Sequence, residues 1–484
     1  MRNRQILSVV SAAIGHQSAI CETPKRFEND GIETETFRFS EGINKGFQFL
    51  MLNGLLTILF LFVTIVLHAQ EKPIAFKGAL IYTVAGSPIE NGVLVVHHGK
   101  ILSVGKEGSS IPADATIVEA TGKVIMPGLV DSHSHLGGPA GGDASAALNP
   151  ETRALDAVNP TSDGFNKALS GGITTINVMP GSGHLMSGQT LYIKMRGGKV
   201  IEDLLISNEK GVYGGMKMAN GTNPMRTTPG AFPGTRAKSA AMARELFIKA
   251  QEYKIKVDNA GSDASKMPDR DLRMEPLVEI LTGQRIVHWH THKANDILTA
   301  IRIGQEFGFK PVLHHVSEAA LVANEIAASG LKASIIHLDS PGGKMEAMGI
   351  RIENGAALEK AGVADIAIHT DDGITDSRLF IRSAAMMVRG GMSKNRAIEA
   401  LTIAGARMLD LSSTVGSLEK GKDADFIVLS GDPFSIYTMV EQTWVEGNKR
   451  YDISNPKDKA FLTGGYDVYS PIRAENHHHE GEAD

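Results

Sequence analysis

Apolar positions cluster in short β-rich runs at both ends of the chain and alternate with helical spacing between them. Near the start, Ile74 to Val84 and Gly92 to Val104 are separated by Gly and Pro turns. Near the end, Gly416 to Leu429 and Thr443 to Gly447 read the same way. Gly172 to Val178 is strand-like, and Lys238 to Tyr253, rich in Ala, Leu, Met, Glu and Lys, predicts a helix. Ile297, Ala300, Ile301 and Gly304 recur at helical spacing, and further helices are expected over Glu318 to Ala328, Thr375 to Gly390 and Ser393 to Leu409. Strand then helix, repeated, is the signature of βα units and an α/β fold.

The apolar run Val124 to Leu129 leads into Val130-Asp131-Ser132-His133-Ser134-His135. Alternate strand side chains share a face and recur every ~7 Å, so His133 and His135 can converge on one ion while Ser134 faces away. Later apolar runs close on similar groups: His290 within Arg285 to His292, His315 after Pro311-Val-Leu-His, and Asp371 after Ala367-Ile-His-Thr. In the second of these strands His288, His290 and His292 share a face, and spacing does not choose among them.

On this ordered set, His133, His135, His290, His315 and Asp371, the chain resembles the amidohydrolase superfamily and its imidazolonepropionase-like branch over roughly residues 74–450. The resemblance implies a (β/α)8 TIM barrel over 128–410, with its ligands at the C-terminal strand ends where barrel active sites sit. It also implies a composite β-sandwich from 73–127 and 411–452, since Gly416-Ser-Leu-Glu-Lys-Gly421-Lys-Asp-Ala-Asp425 is similar to the family's return strand. By the same resemblance His290 is the ligand of its strand, His292 a substrate contact, and Asp371 both ligand and general base.

Lys217 and Lys194 each follow an apolar run, and a two-ion member bridges its ions through a carboxylated lysine, a role the resemblance offers to Lys217. The stretch Lys217 to Arg226 is similar to a Lys-Met-Ala-x-Gly-Glu-Asn-Pro-Lys-Arg run of the branch, with Thr222 and Met225 where that run has charges. Arg226 keeps a planar fork suited to a substrate carboxylate. His184 and His337, in loops expected to converge on the strand ends, complete the candidate substrate contacts.

Imidazoles with a carboxylate suit Zn2+, one ion or two, and Mn2+, Fe2+ or Co2+ tolerate the same set. Such an ion brings bound water from a pKa of about 16 to about 7 and polarises a carbonyl. The expected function is therefore metal-dependent hydrolysis of C–N bonds in a small amide or peptide-like substrate, through a metal-activated hydroxide with Asp371 as base. Ring opening of a cyclic amide and release of ammonia from an amidine are the alternatives.

Composition narrows the setting. A net charge of -5, without basic runs, gives no phosphate-backbone track and excludes nucleic acid as a general partner. The single cysteine, Cys21, leaves no intramolecular disulfide and no thiolate cluster, so any metal must be held by His, carboxylate or modified Lys. Residues 1–69 read as a leader whose apolar region, Leu55 to Leu67, has signal-peptide length and is short for a bilayer span. Met51 is a plausible true start, and residues 473–484, with His477 to His479, read as a disordered tail. A periplasmic or secreted enzyme without a lasting membrane anchor is expected, and a homo-oligomer is compatible with it. The mature protein should begin near Gln70, after Ala69. N-terminal sequencing of protein from the envelope fraction checks this, and a chain that keeps Met1 and stays in the cytoplasm contradicts it.

Overall fold

A computed structural model describes residues 72–139, 141–228, 230–336 and 344–464. The expected leader, His337 and the 473–484 tail lie outside the described residues. Among the described residues no helix is long and apolar enough to cross a membrane.

The first strands form a meander. β1 (Ile74–Ile81) pairs antiparallel with β2 (Ile89–His97), and β2 with β3 (Lys100–Gly105). The run Gly92 to Val104, read from sequence as one stretch, is thus a hairpin. It turns at His98 and Gly99, both at positive φ (49° and 73°), as a two-residue turn matched to strand twist requires. β4 (Thr116–Glu119) and β5 (Val124–Pro127) run parallel to β1.

The middle of the chain contributes β6 (Leu129–Ser134), β7 (Ile173–Val178), β8 (Met186–Gln189), β9 (Leu191–Lys194) and β10 (Met216–Ala219). It continues with β11 (Val287–Thr291), β12 (Val312–His315), β13 (Ala333–Ile336) and β14 (Ile366–His369). β10 to β14 are successive parallel neighbours, with β8 antiparallel at one edge, while β6, β7 and β9 form a second sheet. Backbone hydrogen bonds join the two sheets along both edges. Asp371, just past β14, donates to the His133 carbonyl (2.9 Å), and Thr190 and Tyr192 donate to Gly215 and Tyr213 ahead of β10 (2.9 and 2.6 Å). β10 to β14 are buried along their whole length, as parallel strands covered on both faces must be.

Helices follow the strands as the periodicity predicts. The one at Ala294–Phe307 buries Ile297, Ala300, Ile301 and Gly304, and stops at Gly308, whose φ of 76° closes the last turn without a Cβ penalty. The helix expected over Lys238 to Tyr253 extends to Arg236–Ala260, and two others are shorter than expected. Glu318 to Ala328 yields a 3-10 turn and then Ala323–Ser329. Ser393 to Leu409 divides at Thr402 into Lys394–Leu401 and Ile403–Met408. There the Thr402 hydroxyl bonds the Ile398 carbonyl, the kind of local side-chain bond that bends or ends a helix.

The chain ends with β15 (Phe426–Leu429), β16 (Val440–Val445) and β17 (Asn448–Asp452). β15 pairs antiparallel with β5, Ile427 opposite Met126, so both ends of the chain build one eight-stranded sheet. A buried ion network ties that sheet to β9. The Lys194 ammonium reaches the carboxylates of Asp423 and Asp425 (2.8 Å to the latter), and Arg196 forks onto Glu446 at 2.7 and 2.8 Å. Lys194 is fully buried, so it is neither a solvent-facing lysine nor near the histidines: it joins two layers. Lys194→Met should leave the buried Asp425 carboxylate uncompensated, while Asp423 keeps Lys100, and lower stability by about 3–5 kcal/mol. Denaturant unfolding measures this, and a loss below about 1 kcal/mol would show the network to be dispensable.

Candidate metal centre

His133 and His135 are carried by β6 and the residue after it, and Asp371 by the turn after β14. The hydrogen bond from the Asp371 amide to the His133 carbonyl brings the three together. Asp371 sits at φ 52°, a left-handed conformation that Asp tolerates better than most residues and that turns its side chain back over β6. One carboxylate oxygen lies 3.2 Å from His133 Nε2 and 2.9 Å from His135 Nε2; the other is 3.9 Å from His315 Nδ1. His315 ends β12 at φ 72°, followed by Val316 at 39°. That break takes it out of strand alternation, so that adjacent His314 and His315 both line the interior. His314, which alternation would put in the barrel wall or the helix layer, packs inside, its ring 5.0 Å from that of His133 and its Nε2 3.0 Å from His288 Nδ1, as a histidine beside the ligands rather than one of them.

Three overlapping donor groups result, each with ligand atoms within 4.8 Å of one another: His133, His135 and Asp371; His290, His292 and His315; and His133, His315 and His369. Burial, the largest influence, pushes the imidazoles of His133, His290, His292 and His315 well below their usual value, so they are neutral at neutral pH. Burial would raise Asp371, but His133, His135 and His315 around it outweigh this and hold it well below the usual carboxylate range. Lys217 is fully buried on β10 with Nζ 3.0 Å from His133 Nε2, and burial pushes its ammonium down to about 7. A neutral-amine population at neutral pH is what carboxylation by CO2 requires.

This donor set fits a divalent cation. His133 Nδ1, His290 Nδ1, His292 Nε2 and His315 Nε2 are buried without a hydrogen-bond partner among the described residues, each at a cost of about 1–3 kcal/mol. Neutral imidazoles beside an ionised carboxylate are what such an ion coordinates.

The remaining residues singled out from sequence fall into different surroundings. His292 belongs to the cluster, its Nδ1 bonded to the Ser317 hydroxyl at 2.6 Å. Arg226 and His184 share another locale, on either side of Phe232: the guanidinium lies 4.6 Å from the ring and the imidazole 5.2 Å. Arg226 donates to the carbonyls of Gly183, Asn223 and Met225, so these donors anchor its own loops. Lys293 pairs with Glu318 at 3.1 Å.

Several neighbours went unremarked in the sequence. His369 bonds His315 (3.2 Å) and Ser334 (2.8 Å), and its place two residues before Asp371 on one strand was the available signal. Asp131, two before His133, accepts from the amides of His133 and Thr370 and from the Thr370 hydroxyl, and burial pushes it up to about 7. Asn223 (3.1 Å) and the buried Glu346 (3.8 Å) face His290 Nε2. Asp372 points away from the cluster, to Lys167 at 2.9 Å.

Histidines and one carboxylate at the C-terminal ends of parallel strands define a metal centre in an α/β frame. Residues 282–456 match the amidohydrolase family. A crystal structure of an amidohydrolase from Thermotoga maritima MSB8 superposes with a TM-score of 0.72 at 32% identity, covering 78% of this chain and 100% of that one. The amidohydrolase tasK of Hapsidospora irregularis is 27% identical over 445 residues, 81% of this chain and 45% of tasK, so the chain spans less than half of that relative. An imidazolonepropionase from Thermoplasma volcanium is 20% identical over 396 residues, 72% of this chain and 86% of that protein. The chain belongs to the amidohydrolase family of metal-dependent hydrolases.

The buried imidazoles make stability depend on acid. His288 and His369 are pushed down to about 3, chiefly by burial. Unfolded, each takes a proton near pH 6.5; folded, each stays neutral to about pH 3. Their contribution is therefore complete above pH 6.5 and lost as pH falls toward 3, at about 1.4 kcal/mol per pH unit for each. Between pH 7 and pH 5 these two rings together remove roughly 4 kcal/mol, part of which Asp131, its carboxyl pushed up to about 7, offsets by taking a proton in the folded state first; urea unfolding of metal-stripped protein should show lower stability at pH 5 than at pH 7. Equal stability at the two values would mean that these rings are solvated.

Proposed function

We propose that this is an exported hydrolase that cleaves the C–N bond of a small amide or peptide-like substrate, with Asp371 as general base. The observation that carries the reading is the contact of one Asp371 oxygen with both His133 Nε2 and His135 Nε2, beside a second group of neutral imidazoles. A closed (β/α)8 barrel over 128–410, with a β-sandwich from 73–127 and 411–452, is the frame we infer. The likeness to the Thermotoga amidohydrolase and the hydrogen bonds joining the two inner sheets support it. Export rests on the apolar run Leu55 to Leu67.

In this reading His133, His135 and Asp371 would hold one ion and His290 and His315 a second, with Lys217 a further ligand if carboxylated; Zn2+ is the ion we favour. Bound there, a divalent cation supplies Lewis acidity toward a carbonyl and acidifies water. The chain's own contributions can be read from its contacts. Asp371 stays ionised at neutral pH, so it can take a proton and return it to the leaving nitrogen. The sheets and their helices bury His133, His290, His292 and His315, while His135 and Asp371 keep 12% and 13% of their side-chain surface open. His292, fixed through Nδ1 by Ser317, presents Nε2 without a partner among the described residues and is the substrate contact nearest the ligands. Arg226, spent on backbone carbonyls, fits loop anchoring better than a carboxylate clamp. The likeness to an imidazolonepropionase favours cyclic-amide opening as the second reading.

A panel of dipeptides, N-acyl amino acids, cyclic amides and aminated heterocycles, scored separately for free amine and ammonium, tests both. Free amine without ammonium is expected, and Asp371→Asn should lower the rate about a hundredfold or more with the fold intact. Dominant ammonium release makes the protein a deaminase, ring opening without fragmentation favours the second reading, and an active Asn variant removes Asp371 as the base.

A further inference from the structure

β11 presents its two faces to two different spaces. His288, His290 and His292 face the interior, while Trp289 between them faces the helix layer and lines a cavity of about 330 Å3 behind β10 and β11, under the helices Arg236–Ala260 and Ala294–Phe307. None of the proposed metal ligands lines it. Its floor is apolar, built from Met218, Ala240, Ala243, Trp289 and Ile303. The volume lies in the range of small-molecule sites.

Its charged groups are predominantly positive. Arg236, Arg244 and Arg302 line the cavity against a single lining carboxylate, Asp296, among the described residues. Arg236 and Arg244 engage Asp296 and Glu306 through Nε, at 3.0 and 2.7 Å, which leaves their terminal amino groups for another acceptor. Arg302 has a hydroxyl partner, Thr299 at 2.8 Å, and no carboxylate. A second signal comes from within: Trp289 is 2% exposed, yet its indole Nε1 has no hydrogen-bond partner among the described residues. Burying that N–H unbonded costs about 1–3 kcal/mol, which a ligand acceptor would relieve.

We propose that this cavity is a binding site, separate from the metal centre, for a small organic anion with an apolar body. The body lies on the Trp289, Met218 and Ile303 floor, the acid group meets the arginines, and an acceptor atom takes the indole N–H. The site adjoins the ligand strand, since the Asn220 amide donates to the His290 carbonyl at 3.2 Å and its side chain to the Asp296 carbonyl at 2.8 Å. The proposal needs no bound metal and is independent of the activity proposed above.

Phenylacetate and its neutral isostere phenylacetamide are the probes, titrated into the full-length protein and into its metal-stripped form. Binding is followed by calorimetry and by tryptophan emission, to which only Trp289 and Trp444 contribute. Phenylacetate should bind saturably in both forms and shift the emission, with phenylacetamide about tenfold weaker or worse. Arg302→Gln, at an exposed position, should weaken phenylacetate about tenfold, and Ala240→Phe, which fills the cavity, should abolish binding. Trp289→Phe should remove the emission shift. If Ala240→Phe does not fold, the arginine variant and the neutral probe decide. No saturable binding at millimolar phenylacetate, equal affinity for the neutral probe, or binding unchanged by Arg302→Gln overturns the proposal.

Discussion

Everything in the interior depends on one electrostatic constraint: a carboxylate and several imidazoles are buried together, so each must be neutral or matched. Asp371 stays charged because His133, His135 and His315 surround it. The histidines stay uncharged because burial would make each extra proton costly. The same contact also has a mechanical role. Asp371 hangs from the end of β14 and His133 and His135 from β6, so the carboxylate's contacts with these imidazoles also join the two inner sheets, supported by the hydrogen bond from the Asp371 amide to the His133 carbonyl. Asp131 reinforces that seam, taking both polar hydrogens of Thr370 across it.

A second constraint sits at the other end of the strands. Lys194 is buried as deeply as Lys217, yet the two have opposite surroundings. Lys194 is met by Asp423 and Asp425 and joins β9 to the terminal sheet as an ammonium. Lys217 has an imidazole nitrogen and the Met179 sulfur beside its amine, and no carboxylate within ion-pair distance. Burial without a partner carboxylate lowers its proton affinity, whereas burial with two preserves that of Lys194. The difference between a joint and a reactive amine lies in what the neighbouring strands bring, which spacing along either strand does not encode.

That is also where the sequence stops being readable. The βα alternation and the strand-end histidines follow from local pattern, because apolar periodicity and turn residues report local geometry, whereas the return of both chain ends to one sheet was legible only through the family resemblance. What local pattern misses is set by departures from it. His315 follows His314 directly, so alternation sends one of them outward; the positive φ at His315 and Val316 brings both inside. Glu346 and Asn223 reach His290 from loops remote in sequence, and nothing in their own segments marks them. Arg226 looked available in the sequence because its acceptors are backbone carbonyls, which every residue carries and no motif displays.

The period of two that exposes His288, His290 and His292 to one side obliges Trp289 to face the other. A strand buried on both faces must satisfy two environments, and β11 does so with a row of nitrogen donors inside and one large ring outside. The inner row has a proposed use for its unpartnered nitrogens, His290 toward a metal ion and His292 toward substrate. The outer indole differs: its N–H is buried without a hydrogen-bond partner among the described residues, and nothing in the fold there answers it. Trp289 lines a cavity whose wall also carries three arginines, and an anionic ligand with an acceptor atom would meet both the surplus donor and the positive charge.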